Sequence, residues 1–199
     1  MVMSVMVRHQ ISEEDYQQGE LVSDTKLEFI EGEIYAMNGA SKNHDRIATN
    51  MFFKLLAFMQ NSQFEPFSSD VKVKVGRNFF YPDMMAVCND RSRRPHYSES
   101  PTILVEVLSK STRRTDEKIK RLAYQSTPGL QEHVLIEQDF FDVEVCRRNK
   151  GCLPRHYFLA DEFTLDPIGI SLSVEDVYRR VQNEDVLTYL QQQADMHAG

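Results

Sequence analysis

A short apolar run, ILVEVL at residues 103–108, narrows the possible folds more than any other segment of this chain. A near-continuous apolar run of this kind is typical of a β-strand that is buried on both faces. One residue breaks the pattern, because Glu106 places a carboxylate inside the run. An unpaired carboxylate is costly to bury, so the run predicts a covered central strand in which Glu106 has a compensating partner.

A second apolar pattern, FYPDMMAVC at residues 80–88, contains a similar conflict. Pro82 lacks the backbone donor that a central strand uses, and Asp83 places another carboxylate in apolar surroundings. We expect Pro82 at a bulge or strand end that turns Asp83 into a cleft. If the two strands are neighbours, Asp83 and Glu106 lie close to each other.

The remaining patterns predict helices and strands around these two segments. Ser12 has capping-box spacing and begins a short helix that ends near Gly19. Ser41 begins a long amphipathic helix that ends near residue 60. Other helices are expected over residues 112–126 and from Ser173. The expected strands are a hairpin at 26–37 with its turn at Glu31-Gly32, a strand at 70–75, and the segments HVLIEQ (133–138), FFDVEVCRR (140–148) and YFLA (157–160).

The sequence predicts one domain over residues 1–199, since no repeat, linker or low-complexity tract divides it. A chain of 199 residues is long enough for one sizeable hydrophobic core. The core is placed at about residues 41–148 and a peripheral tail at 182–199, of which 190–199 are expected to fray. The predicted fold class is α/β (α+β), with a central mixed β-sheet flanked by helices.

Composition limits the partners that this chain can have. Its net charge of −7 excludes a uniformly basic surface that coats nucleic acid, but not a small local binding site. Three cysteines without a CxxC pair argue against a disulfide framework and a structural zinc site. The sequence contains neither a signal-peptide pattern nor a run of transmembrane length, so we expect a cytoplasmic protein without a membrane partner.

The pair of carboxylates predicts a metal site. Two close carboxylates repel each other, and one of them takes a proton unless a cation lies between them. Mg²⁺ suits such a place, because it keeps several waters and is held by one or two carboxylates. The alternative is that Asp83 and Glu106 each pair with a lysine or arginine, or lie in solvent at a strand end.

The segment that follows is strongly basic. Residues 110–121 carry six basic side chains and two acidic ones in a chain that is acidic as a whole. Asp116, Lys120 and Tyr124 are spaced four residues apart and therefore share one helix face. The segment predicts a phosphate-binding edge at the mouth of the carboxylate pair. The alternative is a solvated helix face on which Asp116 and Lys120 form an ion pair.

The order of these segments resembles the core of the PD-(D/E)XK nuclease superfamily. Within that superfamily the chain is similar to the Uma-two family of restriction endonucleases, from Ser12 to about Tyr178. The matching segments are LEFIEGEIYAMNGAS with His44, SSDVKVKV, YPDMMAV, ILVEVLSKST, Asp116-x-x-x-Lys120-x-x-x-Tyr124 and HVLIEQD. The resemblance implies a restriction-endonuclease-like core, cleavage of DNA rather than RNA, and a homodimer that reaches both strands.

The resemblance also implies roles for individual residues. In the superfamily the two acids hold Mg²⁺, which implies Asp83, Glu106 and the Val107 carbonyl as ligands of Mg²⁺ or of Mn²⁺ in its place. A lysine two residues after the second acid normally assists the attacking water, but this chain has Leu108 there. In the family that this chain resembles, a lysine on the following helix takes this role. The resemblance therefore implies Lys120 as the third catalytic residue, beside Asp83 and Glu106.

Lys118 is the rival of Lys120 for this role. The two side chains lie roughly 200° apart around a helix, so only one of them can face the metal. His44 is expected at the first turn of the long helix, as a hydrogen-bonding group that positions the cleft rather than a zinc ligand. Asp70 is either a third carboxylate of the cleft or an acid at a strand end. The basic loop at residues 91–94 is a solvated loop or a contact to a nucleic-acid backbone.

Three functions remain open at this point. The first is a Mg²⁺-dependent endonuclease. The second is a nuclease-fold module that binds nucleic acid or a protein partner without useful turnover. The third is a structural dimer whose internal acids are ion-paired; a structure in which Asp83, Glu106 and Lys120 diverge from a common cleft would establish it and exclude the first. No Walker loop, GxGxxG, GxSxG or HExxH motif supports nucleotide-cofactor, hydrolase-triad or zincin chemistry.

Overall fold

The structure is a computed structural model that describes residues 11–37, 39–90, 92, 94–110 and 112–197, without the side chains of 193, 194, 196 and 197. The helices are α1 (Glu13–Leu21), α2 (Lys42–Met59), a π-helix (Thr115–Lys120) continued by α3 (Arg121–Gln125), a 3₁₀ turn (Arg148–Lys150), α4 (Val174–Val177) and α5 (Glu184–His197). The strands are β1 (Leu27–Ile30), β2 (Glu33–Ala36), β3 (Phe64–Ser68), β4 (Lys72–Val75), β5 (Asn78–Phe80), β6 (Met84–Cys88), β7 (Tyr97–Ser98), β8 (Pro101–Leu108), β9 (Glu132–Glu137), β10 (Val143–Arg147), β11 (Pro154–Tyr157), β12 (Glu162–Leu165) and β13 (Ile170–Ser173).

The strands of the described residues form two larger sheets and one small hairpin. The first sheet has the order β2-β1-β5-β4-β7, the second has the order β11-β10-β9-β8-β6-β3, and β12 pairs with β13. In the second sheet β8 is antiparallel to β6 and parallel to β9, so the sheet is mixed. The predicted fold class, a mixed central sheet flanked by helices with a hairpin near the N-terminus, is confirmed.

The central strand β8 is covered on both faces, as the apolar run predicts. Ile103, Val105 and Val107 face the cluster that contains α2, whereas Leu104 faces the opposite cluster with Tyr124 of α3. All eight residues of β8 are buried. Because side chains alternate along a strand, Glu106 shares the face of Leu104 and therefore points toward the π-helix and α3 rather than toward α2.

The amphipathic helix α2 forms one side of the core. Its buried residues Ile47, Met51, Leu55 and Met59 recur at helical spacing and contact the second sheet. Ser41 caps the helix, and its Oγ accepts a hydrogen bond from the His44 N–H at 3.1 Å. The predicted cap and the predicted helix are both confirmed, and they place His44 in the first turn, at the end of α2 nearest the cleft.

The segment around Pro82 is not one continuous strand. Residues Asn78–Phe80 form β5 in the first sheet, and Met84–Cys88 form β6 in the second. Tyr81-Pro82-Asp83 crosses from one sheet to the other, so Pro82 need not donate to a strand ladder. The expected strand end at Pro82 is confirmed, and Asp83 lies immediately before the first residue of β6.

The N-terminal hairpin has the turn that its sequence predicts. Ile30 pairs with Glu33, which leaves Glu31 and Gly32 as a two-residue connection. Both residues have positive φ angles, 52° and 88°. This is the conformation of a type I′ turn, which suits the twist of a hairpin and favours glycine at its second position. The hairpin joins the first sheet through the pairing of β1 with β5.

Two local predictions were wrong, and the helix predicted over residues 112–126 differs in its helix type. Apart from Tyr157, which ends β11 (Pro154–Tyr157), the segment YFLA is not a strand. The basic segment is helical, as predicted, but it forms a π-helix followed by the short helix α3 rather than one uniform α-helix. The expected frayed end over residues 190–199 is helical as far as His197, and Val186 and Tyr189 of α5 pack against the core.

Candidate functional site

A cleft of about 900 Å³ opens where the two sheets meet the start of α2 and the π-helix. Its lining includes the three residues predicted as catalytic, Asp83, Glu106 and Lys120, together with Val107 and His44. The structure therefore brings all the principal predicted site residues to one place. The two acids and the lysine do not diverge, so the arrangement that would have established the structural-dimer hypothesis is not observed, although Glu106 is ion-paired with Lys120.

Lys120 lies at the buried end of the cleft, among three carboxylates. Its Nζ is 3.2 Å from Glu106 Oε1, 3.2 Å from Asp116 Oδ1 and 3.0 Å from Glu28 Oε1. It also donates to the Tyr81 carbonyl at 3.4 Å. Burial alone would lower the pKa of Lys120, but these carboxylates hold that pKa well above its usual value, so the ammonium stays charged.

Glu106 is held from two sides. Its Oε1 accepts a hydrogen bond of 2.7 Å from the Tyr124 hydroxyl, and its Oε2 accepts one of 3.3 Å from Lys120. Burial raises the pKa of Glu106 well above its ordinary value, although the charge of Lys120 opposes this shift. Burial and the nearby acid also raise the pKa of Tyr124, which therefore remains a hydrogen-bond donor to Glu106.

Asp83 occupies the wall of the cleft beside Glu106. Its Oδ2 accepts a hydrogen bond of 2.7 Å from the Val107 N–H and lies 3.3 Å from His44 Nε2. Burial works against protonation of His44, but its hydrogen bond to Asp83 and the charge of that acid raise the histidine pKa overall. The expectation that His44 helps to position the cleft agrees with this contact. The proposed role of the Val107 carbonyl stays a prediction.

Glu28 is the member of this cluster that the sequence did not single out. It lies on β1, is 6% exposed, and uses Oε1 to accept a hydrogen bond of 2.9 Å from the Tyr81 N–H. Its hairpin also contains Glu31 and Glu33, which are solvent-facing acids of the kind that a hairpin usually carries. Strand alternation could have separated Glu28 from them, because Glu28 and the core residue Ile30 share one face of β1.

The π-helix explains why Lys120 rather than Lys118 reaches the acids. Arg121 N–H donates to the Asp116 carbonyl five residues earlier, which widens this turn relative to an α-helix. Asp116 and Lys120 are buried on the inner side, whereas Lys118 is exposed. The preference for Lys120 over Lys118 agrees with the geometry, although its chemical role stays a prediction.

Other predicted candidates lie away from the cluster. Asp70 is largely exposed and pairs with Lys26 at 2.6 Å, so it is an acid at a strand end rather than a third cleft carboxylate. In the basic loop, Arg94 contacts Tyr97 and lies 3.3 Å from Glu99. Arg91 and Arg93 lie outside the described residues. All three cysteines are free thiols, which agrees with the absence of a predicted disulfide framework.

The charges and donors of the cluster fit a divalent cation. Four carboxylates, Glu28, Asp83, Glu106 and Asp116, lie around one lysine and one histidine, so the cluster is short of positive charge. Carboxylate oxygens are the donors that Mg²⁺ prefers. Among the described residues, no three histidine, cysteine, aspartate or glutamate side chains form a ready-made metal site. A cation at the Asp83–Glu106 pair would therefore complete its ligand shell with water or substrate, as Mg²⁺ commonly does.

The fold and the acid–lysine cleft define a protein of the restriction-endonuclease-like class. The family model described as "Putative restriction endonuclease" (Uma2) matches residues 13–175, and this chain belongs to that family. Similar curated proteins come from Synechocystis. The uncharacterized protein slr1290 is 31% identical over 174 residues, which cover 85% of this chain and 92% of that protein. The uncharacterized protein sll1609 is 34% identical over 139 residues, covering 65% of this chain and 76% of its own length.

A solved structure confirms the fold. A crystal structure from Anabaena variabilis, described as a putative nuclease belonging to DUF820, superposes with a TM-score of 0.70. The match covers 86% of this chain and 99% of the other, at 16% sequence identity. At that identity the likeness establishes the fold alone. In the described part of the chain, no helix is both long and apolar enough to cross a membrane.

Proposed function

We propose that this protein is a metal-dependent endonuclease that hydrolyses phosphodiester bonds in DNA. The observation that supports this function best is the buried contact of Lys120 with Glu106 in the same cleft as Asp83. Two carboxylates beside a charged lysine supply both cation ligands and a cationic group for a phosphate. The family description and the nuclease title of the Anabaena structure support the same reaction class.

Asp83 and Glu106, with the Val107 carbonyl, would hold Mg²⁺, and Mn²⁺ is the expected substitute. When bound, the cation lowers the pKa of a water ligand and neutralises charge that develops on the phosphate. Lys120 orients the attacking water and binds a phosphate oxygen, because its ammonium stays charged next to the acids. The Tyr124 hydroxyl fixes the carboxylate of Glu106 for this task.

His44 and the Val107 N–H both contact Oδ2 of the other carboxylate, that of Asp83, and so fix its orientation. Such fixed orientation matters, since a small misplacement of a reacting group costs a large part of the rate. The basic residues that follow β8 form the edge where the nucleic-acid backbone would enter. Lys110, which lines the cleft, is the member of this group closest in sequence to β8.

A second candidate is a nuclease-fold module that binds nucleic acid or a protein partner without useful turnover. The observation that favours it is the state of Lys120, whose ammonium is already engaged by three carboxylates and one carbonyl. Leu108 occupies the position where the superfamily places its lysine. In this case the ion-paired cluster stabilises the fold, and the cleft binds its partner without chemistry.

Cleavage of supercoiled plasmid and single-stranded DNA with Mg²⁺ or Mn²⁺ separates the two functions. We expect the wild type to nick DNA, and Asp83→Asn, Glu106→Gln and Lys120→Ala each to lose roughly 100-fold or more of that activity. Lys118→Ala is the matched control, because Lys118 is exposed on the same helix. A chelator should stop the wild-type reaction, and restored Mg²⁺ should restart it.

Two results would count against the nuclease. Pure wild type that cleaves no substrate with either metal would favour the binding module. Cleavage that persists in all three site variants, and that elutes from a column apart from the protein, would come from a contaminant. The cleft would then have no part in the reaction. Circular dichroism of each variant shows whether it is folded.

A further inference from the structure

We propose that Glu28 is a positioning residue of the cleft, which holds Lys120 and the Asp83-bearing segment in one arrangement. The proposal rests on the proposed endonuclease function, because it assigns Glu28 a role through Lys120. The observation behind it is that one carboxylate oxygen of Glu28 makes two contacts. Glu28 Oε1 lies 3.0 Å from Lys120 Nζ and accepts a hydrogen bond of 2.9 Å from the Tyr81 N–H.

These two contacts join elements that are distant in sequence. Glu28 belongs to β1 in the first sheet, and Lys120 ends the π-helix beside the second sheet. Tyr81 begins the crossover that leads directly to Asp83. The Tyr81 carbonyl also accepts a hydrogen bond from Lys120 at 3.4 Å. Glu28, Tyr81 and Lys120 therefore form a closed set of contacts, and Asp83 is two residues from one member of it.

Charge neutralisation does not explain this carboxylate. Lys120 already contacts Glu106 and Asp116, so its single positive charge is more than balanced without Glu28. A third buried carboxylate adds negative charge to a cluster that has a surplus, and such burial is unfavourable. Glu28 instead restricts geometry. Its Oε1 holds the ammonium of Lys120 from the side of β1, and the same oxygen holds the Tyr81 N–H at the start of the crossover.

The consequence is a specific kinetic effect. Without the carboxylate of Glu28, the Lys120 side chain keeps its charge and its other partners but loses one of the contacts that restrict its position. The chemical step then suffers, because a positioned group loses much of its effect when it is displaced. DNA binding changes little, because Glu28 is buried and is not one of the residues that line the cleft.

The kinetic test compares Glu28→Gln with Lys120→Ala and the double variant. We expect Glu28→Gln to lower kcat about tenfold with KM for DNA unchanged. In the Lys120→Ala background the same change should cost much less, since only the contact of Glu28 with the Tyr81 N–H then remains. Glu65→Gln, an exposed glutamate on β3, is the matched control. Equal losses in both backgrounds, or a change confined to KM, would overturn the proposal.

A second readout needs no cleavage. The ammonium resonance of Lys120 in a ¹⁵N–¹H spectrum, assigned by its disappearance in Lys120→Ala, should be visible in the wild type because the group is buried and hydrogen-bonded. In Glu28→Gln we expect it to shift and broaden, while in Glu65→Gln it stays unchanged. An unaltered resonance in Glu28→Gln shows that Glu28 does not hold the lysine. If the wild type cleaves nothing, the endonuclease proposal fails, and this spectrum alone decides the role of Glu28.

Discussion

Glu106 and Lys120 stabilise each other in a place where either charge alone would be expensive. Each is 2–3% exposed, and removal of Lys120 would leave the buried carboxylate of Glu106 without its compensating charge. The two also differ from a simple ion pair, because Asp116 and Glu28 add negative charge on the same ammonium. This surplus of negative charge is the residue-level property on which the proposed cation site rests.

His133 predicts how the stability of the fold depends on pH. It is buried on β9, its ring lies edge-on to Tyr124 at 5.1 Å, and its Nε2 has no hydrogen-bond partner among the described residues. Burial, together with the charges of Arg121 and Lys120, lowers its pKa to about 3. The folded protein therefore binds fewer protons than the unfolded chain between about pH 6.5 and pH 3, and stability falls as the pH falls through this window.

The expected loss from this histidine is on the order of 4–5 kcal/mol in the unfolding free energy by pH 3. His133→Phe keeps a ring against Tyr124 but removes the titration, so its stability should fall less between pH 7 and pH 4. Urea unfolding at a series of pH values measures this difference. His96→Phe, at an exposed position, should follow the wild type. Parallel pH dependence in wild type and His133→Phe would contradict the assignment.

At the scale of elements, the π-helix decides which side chains reach the cleft. It is anchored at its start by Arg113, whose guanidinium contacts both oxygens of Glu137 at the end of β9, one of them at 2.5 Å. Glu137 is 5% exposed and needs this partner. The ion pair thus fixes the helix relative to the central sheet at the end nearest the site, before the chain reaches Asp116 and Lys120.

We expect Arg113→Gln to destabilise the fold by about 2 kcal/mol, because a largely buried carboxylate loses its charged partner. Nuclease activity should fall further than stability explains, since the π-helix loses its anchor. Arg114→Gln is the control, as Arg114 is exposed one residue later. Thermal unfolding and plasmid cleavage measure the two effects. Equal behaviour of the two variants would show that the Glu137 contact does not hold the helix.

The hairpin that carries Glu28 offers a second test at this scale. Gly32 has a φ of 88° in the tight turn, where an alanine is strained, so Gly32→Ala should destabilise the protein by about 1–2 kcal/mol. Gly19 lies inside α1 with open space around its missing Cβ, so Gly19→Ala should stabilise it by roughly 0.5–1 kcal/mol. Chemical denaturation of the two variants checks the signs. Stabilisation by Gly32→Ala would rule out the positive-φ turn.

At the scale of the whole molecule, the net charge and the number of clefts limit how the protein could act on DNA. The chain carries −7 overall, so its long-range attraction to DNA is weak, and under the proposed function binding would depend on the cleft and its cation. One cleft addresses one phosphodiester at a time. A protein that cuts both strands in one encounter therefore needs two clefts, and this is the physical basis for the predicted homodimer.

We expect the protein to sediment at twice the 23.2 kDa mass of one chain under the conditions in which it cleaves. Linear product should then appear together with nicked plasmid from the start of the reaction. Sedimentation velocity and a time course of plasmid cleavage make the comparison. A monomer that only nicks DNA, with linear product arising later from independent nicks, would contradict the dimer and leave the site unchanged.

Much of this protein follows from sequence pattern alone. ILVEVL predicts the central buried strand because apolar character on both faces requires cover on both faces. Pro82 predicts a strand end because it cannot donate to a ladder, and Ser41 predicts the start of α2 through its capping hydrogen bond. Asp83 and Glu106 were singled out because charged groups inside apolar patterns need partners, whereas Lys120 was assigned through the family resemblance.

The rest depended on contacts between segments that are far apart along the chain. The partnership of Glu28 with Lys120 joins a strand and a helix that are far apart along the chain, so alternation along β1 separates Glu28 from the exposed acids of the hairpin but does not identify its partner. The π-helix arises in the same way, because packing of Asp116 and Lys120 against the acids overrides the α-helical preference of the segment. Local forces act over a few residues, whereas burial and buried charge are set by the whole fold.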